Sequence, residues 1–167
     1  MIQKKICMVG VFATGKTSLV RRYVHSIFSE KYHSTVGVKV DRQQVEVDDK
    51  TVNMVIWDLE GKDGVQDLQT SYLRGSSGIL YVADGTRRES FEQLWDLRAK
   101  VEEAIGEVPS IVALNKADLK DEWQLGDDDL ARLSGESWEH FVTSAKTGSR
   151  VSRSFEWLAL SMLGRPA

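Results

Sequence analysis

Residues 10–17 read Gly-Val-Phe-Ala-Thr-Gly-Lys-Thr, between an apolar run, Ile6-Cys7-Met8-Val9, and a helical pattern that begins at Ser18-Leu19-Val20. The spacing G-x-x-x-x-G-K-[ST] gains its meaning from that strand–loop–helix context. Such a loop turns its backbone N–H groups inward to form a nest for phosphate oxygens. The helix that follows points its positive N-terminal end at the same anion. On this reading Gly10, Phe12, Ala13, Thr14, Gly15 and Ser18 belong to the loop and helix start that hold a nucleotide. Lys16 brings an ammonium to the β- and γ-phosphates, and Thr17 offers a hydroxyl to Mg²⁺.

A phosphate loop does not name a base, but three later tetra- and tripeptides bear on it. Asp58-Leu59-Glu60-Gly61 follows Val55-Ile56-Trp57, Asn115-Lys116-Ala117-Asp118 follows Ile111-Val112-Ala113-Leu114, and Ser144-Ala145-Lys146 follows Phe141-Val142-Thr143. Each stands at the C-terminal end of an apolar run, the edge at which open α/β sheets bind ligands. In this order the motifs resemble those of the small GTPases of the Ras superfamily. The resemblance is closest to the Rab branch, through Thr35-Val36-Gly37-Val38, the Trp57-Asp58 pair and Ser71-Tyr72-Leu73-Arg74-Gly75, and it runs from Lys4 to about Met162. It implies an α/β P-loop NTPase fold: a six-stranded mixed sheet with one antiparallel edge strand, flanked by helices on both faces, forming a single G domain over 1–167.

Composition agrees with one globular domain. At 167 residues the chain is long enough to bury a sizeable core. A hydrophobic content of 41% and a charged content of 28% are ordinary for such a domain. A net charge of −3 provides no basic field to recruit nucleic acid or an acidic membrane. No apolar stretch reaches the length of a membrane span. One cysteine, Cys7, cannot form an internal disulfide and reads as a small buried hydrophobe. The last residues, Leu163-Gly164-Arg165-Pro166-Ala167, contain no prenylation motif, so no lipid anchor is expected from this chain and a cytoplasmic location is expected.

Periodicity predicts strands near 3–9, 37–47, 51–57, 78–84, 110–115 and 140–143, and helices near 16–27, 65–74, 88–105, 127–134 and 149–163. Asp48-Asp49-Lys50 is too short for a crossover, so the second and third strands form an antiparallel hairpin. The remaining connections pass through helices and should be parallel and right-handed. Val151, Phe155, Leu158, Ala159 and Met162 mark the core face of the last helix, and Phe91, Leu94, Trp95 and Val101 mark that of the third. Asp127-Asp128-Asp129 suits a helix N-terminus better than a metal site.

The resemblance assigns the guanine site to Asn115, Lys116, Asp118, Ser144, Ala145 and Lys146. Chemistry supports Asp118 independently: guanine presents two adjacent donors, which an acceptor-only carboxylate matches, and adenine lacks that pair. Phe28 matches the aromatic position beside the base, with a core phenylalanine at the end of the first helix as the alternative. The resemblance makes 29–38 and 58–74 the two switch segments, open to effectors and regulators. Thr35 and Thr17 would hold Mg²⁺, with Asp58 acting through a metal-bound water. Tyr32 would close over the phosphates, and the Gly61 amide would meet the γ-phosphate. Lys16, Gly61 and Lys62 are the expected catalytic positions.

Three residues depart from the family. Lys62 stands where glutamine is usual, and ammonium has no acceptor with which to orient water. Phe12 stands where glycine or another small residue is usual, and would crowd the space used to position that water. Glu60 stands in place of alanine or glycine; its carboxylate either repels the γ-phosphate or finds Mg²⁺. The expected activity is therefore Mg²⁺-dependent binding of GTP and GDP with slow GTP hydrolysis. A nucleotide-loaded interaction module with negligible hydrolysis is the alternative, and a P-loop kinase is the more distant one.

Overall fold

The computed structural model describes residues 2–29, 35, 37–62 and 64–164. Six strands form one sheet: β1 (Ile2–Val9), β2 (Val38–Val47), β3 (Lys50–Leu59), β4 (Gly78–Asp84), β5 (Ser110–Asn115) and β6 (His140–Val142). Their order is β2-β3-β1-β4-β5-β6. Every neighbouring pair is parallel except β2 with β3, which makes β2 the antiparallel edge strand. Five α-helices accompany the sheet: α1 (Lys16–His25), α2 (Arg88–Glu92), α3 (Leu94–Ile105), α4 (Asp127–Gly135) and α5 (Val151–Met162).

Alternation along the central strands divides the core in two. Ile6, Met8, Leu80, Val82, Ile111 and Ala113 face α1 and α5, where Leu19, Phe155 and Leu158 cover them. Their neighbours Cys7, Val9, Ile79, Tyr81, Val112 and Leu114 face the opposite layer, with Phe91, Leu97, Val101 and Leu133 of α2, α3 and α4. A strand buried on both faces reads as a continuous apolar run, as β4 does up to Asp84, with all seven of its residues buried. β2 instead alternates half-buried and exposed residues, as an edge strand must.

The β2–β3 hairpin is tighter than the sequence suggests. Lys50 pairs with Val47, so the turn is Asp48-Asp49 alone. Both aspartates have positive φ, 53° and 62°, the conformation of a two-residue turn that matches the twist of its strands.

Two predicted helices are altered. The expected helix near 65–74 is two short 3₁₀ turns, Val65–Asp67 and Thr70–Leu73, separated by extended backbone at Leu68. Lys5 explains part of this: its ammonium takes the carbonyls of Tyr72 at 2.6 Å and Arg74 at 2.7 Å, and turns the chain away from helical continuation. The expected helix near 88–105 is interrupted at Gln93, where ψ flattens to −11° between α2 and α3. α1 stops at His25 because Ser26 is left-handed and returns its N–H to Arg22 O at 3.1 Å. No helix among the described residues is long and apolar enough to cross a membrane.

Candidate functional site

The loops leaving the C-terminal ends of β1, β3, β5 and β6 enclose a cleft of about 820 Å³. Its floor is the loop between β1 and α1. Ala13 (φ 61°) and Gly15 (φ 99°) are left-handed there, and this alternation turns backbone N–H groups toward one point. Side chains are excluded from the loop's rear. A Cβ at Gly10 would lie 2.5 Å from Val82 O, and one at Gly15 would lie 2.3 Å from Asn115 Nδ2. The Thr14 hydroxyl is buried and donates to Val11 O at 3.1 Å, so it braces the loop from within.

Lys16 is the first residue of α1 and is buried. Its ammonium donates to Gly10 O at 3.0 Å and Val11 O at 3.3 Å. Burial lowers its pKa to about 8; Asp58 opposes that shift and Arg87 adds to it. An ammonium held this way gains most from an anion delivered into the cleft.

Beside it Thr17, Thr35 and Asp58 converge. Thr17 Oγ1 donates to Asp58 Oδ2 at 2.7 Å and lies 2.6 Å from Thr35 Oγ1, which itself reaches Asp58 Oδ2 at 3.2 Å. Asp58 Oδ1 is buried and has no hydrogen-bond partner among the described residues. Burial pushes this carboxyl above its usual range against the pull of Thr17, Lys16 and Thr35. Two hydroxyls and an unsatisfied carboxylate form a hard-oxygen donor set, which fits Mg²⁺ supplemented by water and phosphate. No group of three or more His, Cys, Asp or Glu side chains that could hold a metal occurs among the described residues.

The opposite end of the cleft is built from β5 and β6. Asn115 is buried and acts as a brace: Nδ2 donates to Thr14 O at 3.2 Å, while Oδ1 accepts from Thr143 Oγ1 at 3.2 Å and Ala145 N at 3.3 Å. It joins the phosphate loop to the 144–146 loop. Lys116 is left-handed (φ 75°), and its ammonium is held by Asp84 Oδ2 at 2.8 Å and Ala13 O at 3.1 Å. Asp118 lines the cleft, with Oδ1 oriented by the Ser144 hydroxyl at 2.7 Å. Ala145 and Lys146 line the same wall. Phe28 lines the cleft and also packs against the α1–α5 core.

Phe12, Ala13, Ser18, Gly61 and Lys62 also line the cleft, whereas Gly10, Asp58 and Ser144 stand behind it. Tyr32 and most of 29–38 lie outside the described residues. The Glu60 carboxylate is held within the protein: Oε2 accepts from Gly37 N at 3.2 Å and pairs with Lys62 Nζ at 3.1 Å. Those contacts hold the Glu60 carboxyl below its usual range. Lys62 therefore has a carboxylate neighbour, and Phe12 is 43% exposed at the cleft.

Sequence reasoning missed two supports. Arg22 forks from α1 to the 144–146 loop, with Nε donating to Ala145 O at 2.7 Å and Nη2 donating to Lys146 O. Arg87 donates to Phe12 O at 2.9 Å. Arg22 looks like an ordinary solvated helix residue in the sequence. Arg87, three residues past the end of β4, stands on the ligand-binding edge and could have been found there.

The chain matches the model of the Ras family over residues 5–164. It is 33% identical to Ras-related protein Rab-7b of Mus musculus over 168 aligned positions, covering 98% of this chain and 84% of that protein. Ras-related protein Rab-1 of Theileria parva is 30% identical, over 95% of this chain and 73% of its own length. Ras-related protein Rab-13 of Canis lupus familiaris is likewise 30% identical, over 95% of this chain and 79% of its own length.

Proposed function

The chain belongs to the Ras family of small GTPases, with Rab proteins among its relatives, and on that premise we propose that it is a guanine-nucleotide switch that binds GDP and GTP with Mg²⁺ and hydrolyses GTP slowly. One observation carries the choice of nucleotide: a single cleft joins a phosphate nest to a carboxylate, Asp118, already oriented by Ser144 at 2.7 Å. The carboxylate accepts the two adjacent donors on guanine's edge, whereas adenine presents an acceptor, N1, in place of one of them. Asp118→Asn should weaken GDP binding by about 10- to 100-fold, the loss of a charge-assisted pair. The same change should improve xanthine nucleotides, which carry a carbonyl in place of guanine's 2-amino group. Competition titration with GDP, XDP and ATP tests this. Equal affinity of the unmodified protein for ATP and GDP would sink it.

Hydrolysis is in-line attack of water on the γ-phosphorus: one O–P bond forms as the bond to the β–γ bridging oxygen breaks. Lys16 and the loop amides meet the charge that develops on the phosphoryl oxygens. Thr17 and Thr35 would hold Mg²⁺, with Asp58 through a water, and the ion's chemistry is to neutralise charge on the β- and γ-phosphates. A side chain at position 61 would lie 2.7 Å from Lys16 Nζ and 3.0 Å from Phe12 Cα, so glycine alone lets that amide approach the ligand.

Slow turnover follows from Lys62. Its ammonium has no acceptor for the attacking water, and Glu60 lies beside it at 3.1 Å. That pair also favours a second reading, a nucleotide-loaded interaction module that barely hydrolyses. Single-turnover measurement of phosphate release separates the two. One domain over 1–167 carries the activity on either reading, with 29–38 and 58–74 as the surfaces offered to effectors and regulators.

A further inference from the structure

Glu60 makes a contact that the usual alanine or glycine cannot. The β2–β3 ladder pairs Val38 with Leu59, so Gly37 and Glu60 occupy the next rung. Glu60 N donates to Gly37 O at 2.8 Å, and the return bond, from Gly37 N, ends on the Glu60 side chain at 3.2 Å. The rung is closed in both directions, with a carboxylate supplying one of its acceptors. Two residues later Lys62 O accepts from Phe12 N at 3.0 Å. The 60–62 tripeptide is thereby fastened on one side to the segment that carries Thr35 and on the other to the phosphate loop. Lys62 Nζ lies 3.1 Å from Oε2, the same Glu60 oxygen that accepts from Gly37 N.

Every group in this arrangement belongs to the chain, and none requires a terminal phosphate. We propose that Glu60 is a positioning residue that ties the Thr35 segment to the Gly61 segment in both nucleotide states, so that the placement of the first segment depends less on the γ-phosphate than a switch of this kind otherwise would. The proposal rests on the guanine-nucleotide reading above and concerns its regulation. Its consequence is a narrowed contrast: a partner that reads the 37–40 surface meets similar backbone in the diphosphate and triphosphate complexes.

Hydrogen exchange at the Gly37 amide tests it directly, on the full chain loaded with Mg²⁺ and either GDP or the β,γ-imido analogue of GTP. In the unmodified protein the two complexes should exchange at rates within about threefold of each other. Glu60→Ala should speed exchange in the GDP complex by about tenfold or more, because the amide loses its acceptor. Glu60→Gln keeps a side-chain oxygen in reach and should restore protection, which a general loss of packing would not allow. Unchanged GDP-state exchange in Glu60→Ala overturns the proposal, as does a tenfold contrast already present in the unmodified protein, or a failure of Glu60→Gln to restore protection. Failure of the unmodified protein to bind GDP in the loading step overturns the nucleotide reading instead.

Discussion

Lys16 carries an energetic debt in the free protein that a bound anion discharges. Its ammonium is buried, with a folded-state pKa of about 8 against an ordinary 10.5. Below about pH 8 both folded and unfolded chains hold the proton, and the folded chain bears the cost of burying it. Between the two values the folded chain releases the proton while the unfolded chain keeps it. The unfolded state then binds more protons, so this group makes the free protein more stable as pH rises through that window. Phosphate restores the charged form. Nucleotide binding near about pH 9 should therefore take up a proton that binding near about pH 7 does not. Calorimetry in two buffers of different ionisation enthalpy reads this as a buffer-dependent heat at the higher pH alone; its absence there would contradict the assignment. Asp118 shows the other side of the residue scale, since its match to guanine's donors could be argued from chemistry, while Ser144 entered through the resemblance and its bond to Asp118 came from the structure. Glu60 could not be read that way, because its partner Gly37 is distant in sequence and only the hairpin register brings them opposite.

Among elements, the best-read were those whose periodicity agreed with their surroundings. The buried strands β4 and β5 and the second half of β1 are apolar runs and stand where the pattern put them. The segment near 65–74 failed because tertiary bonds from Lys5 to Tyr72 O and Arg74 O overrode local preference, and no window of sequence contains both partners. Arg22 makes the same point for the site. It links α1, whose first residue is Lys16, to the carbonyls of Ala145 and Lys146, so the phosphate and base ends of the cleft share one helix. Arg22→Ala should loosen the base-side loop and speed GDP release by about tenfold, about 1.4 kcal/mol. Arg22→Lys, a point charge without a fork, should recover only part of that. Displacement of fluorescent GDP measures both; an unchanged release rate in the alanine variant would remove Arg22 from the site.

At the scale of the molecule, the cleft is made of loops from four strands and therefore draws on both core layers. The phosphate loop feeds α1 on one face, while Asp84, which pins Lys116 at 2.8 Å, ends a strand that contributes to both. A ligand that joins these loops stabilises the whole fold by mass action. GDP at a hundredfold excess over its dissociation constant should add about 2.7 kcal/mol. For a domain of this size that is a rise of about 5–10 °C in Tm. ATP at the same concentration should leave Tm unchanged, and an equal shift by both nucleotides in a thermal melt would count against Asp118 as the selector. The mixed sheet with its antiparallel hairpin was legible because so short a connection allows no crossover, whereas the strand order came only from the structure.

The aromatic rings are distributed unevenly, which has an optical consequence. Tyr81, Trp138, Trp95 and Phe91 form an edge-to-face series, with centroid separations of 5.2, 5.7 and 5.1 Å, on the α3 and α4 side of the sheet. Trp57 stands apart at the end of β3, with Lys5 Nζ 3.6 Å above its ring and Tyr72 tilted against it. Closely spaced, nearly perpendicular chromophores couple their transitions, so the series will dominate circular dichroism in the aromatic region and report the packing of a layer remote from Thr35. Emission intensity, by contrast, sums all five tryptophans, and its nucleotide-dependent part should come from Trp57, one residue from Asp58, and vanish in Trp57→Phe. During one exchange of GDP for a triphosphate, the dichroism would therefore stay still while the fluorescence changed, each signal true to the indoles that produce it.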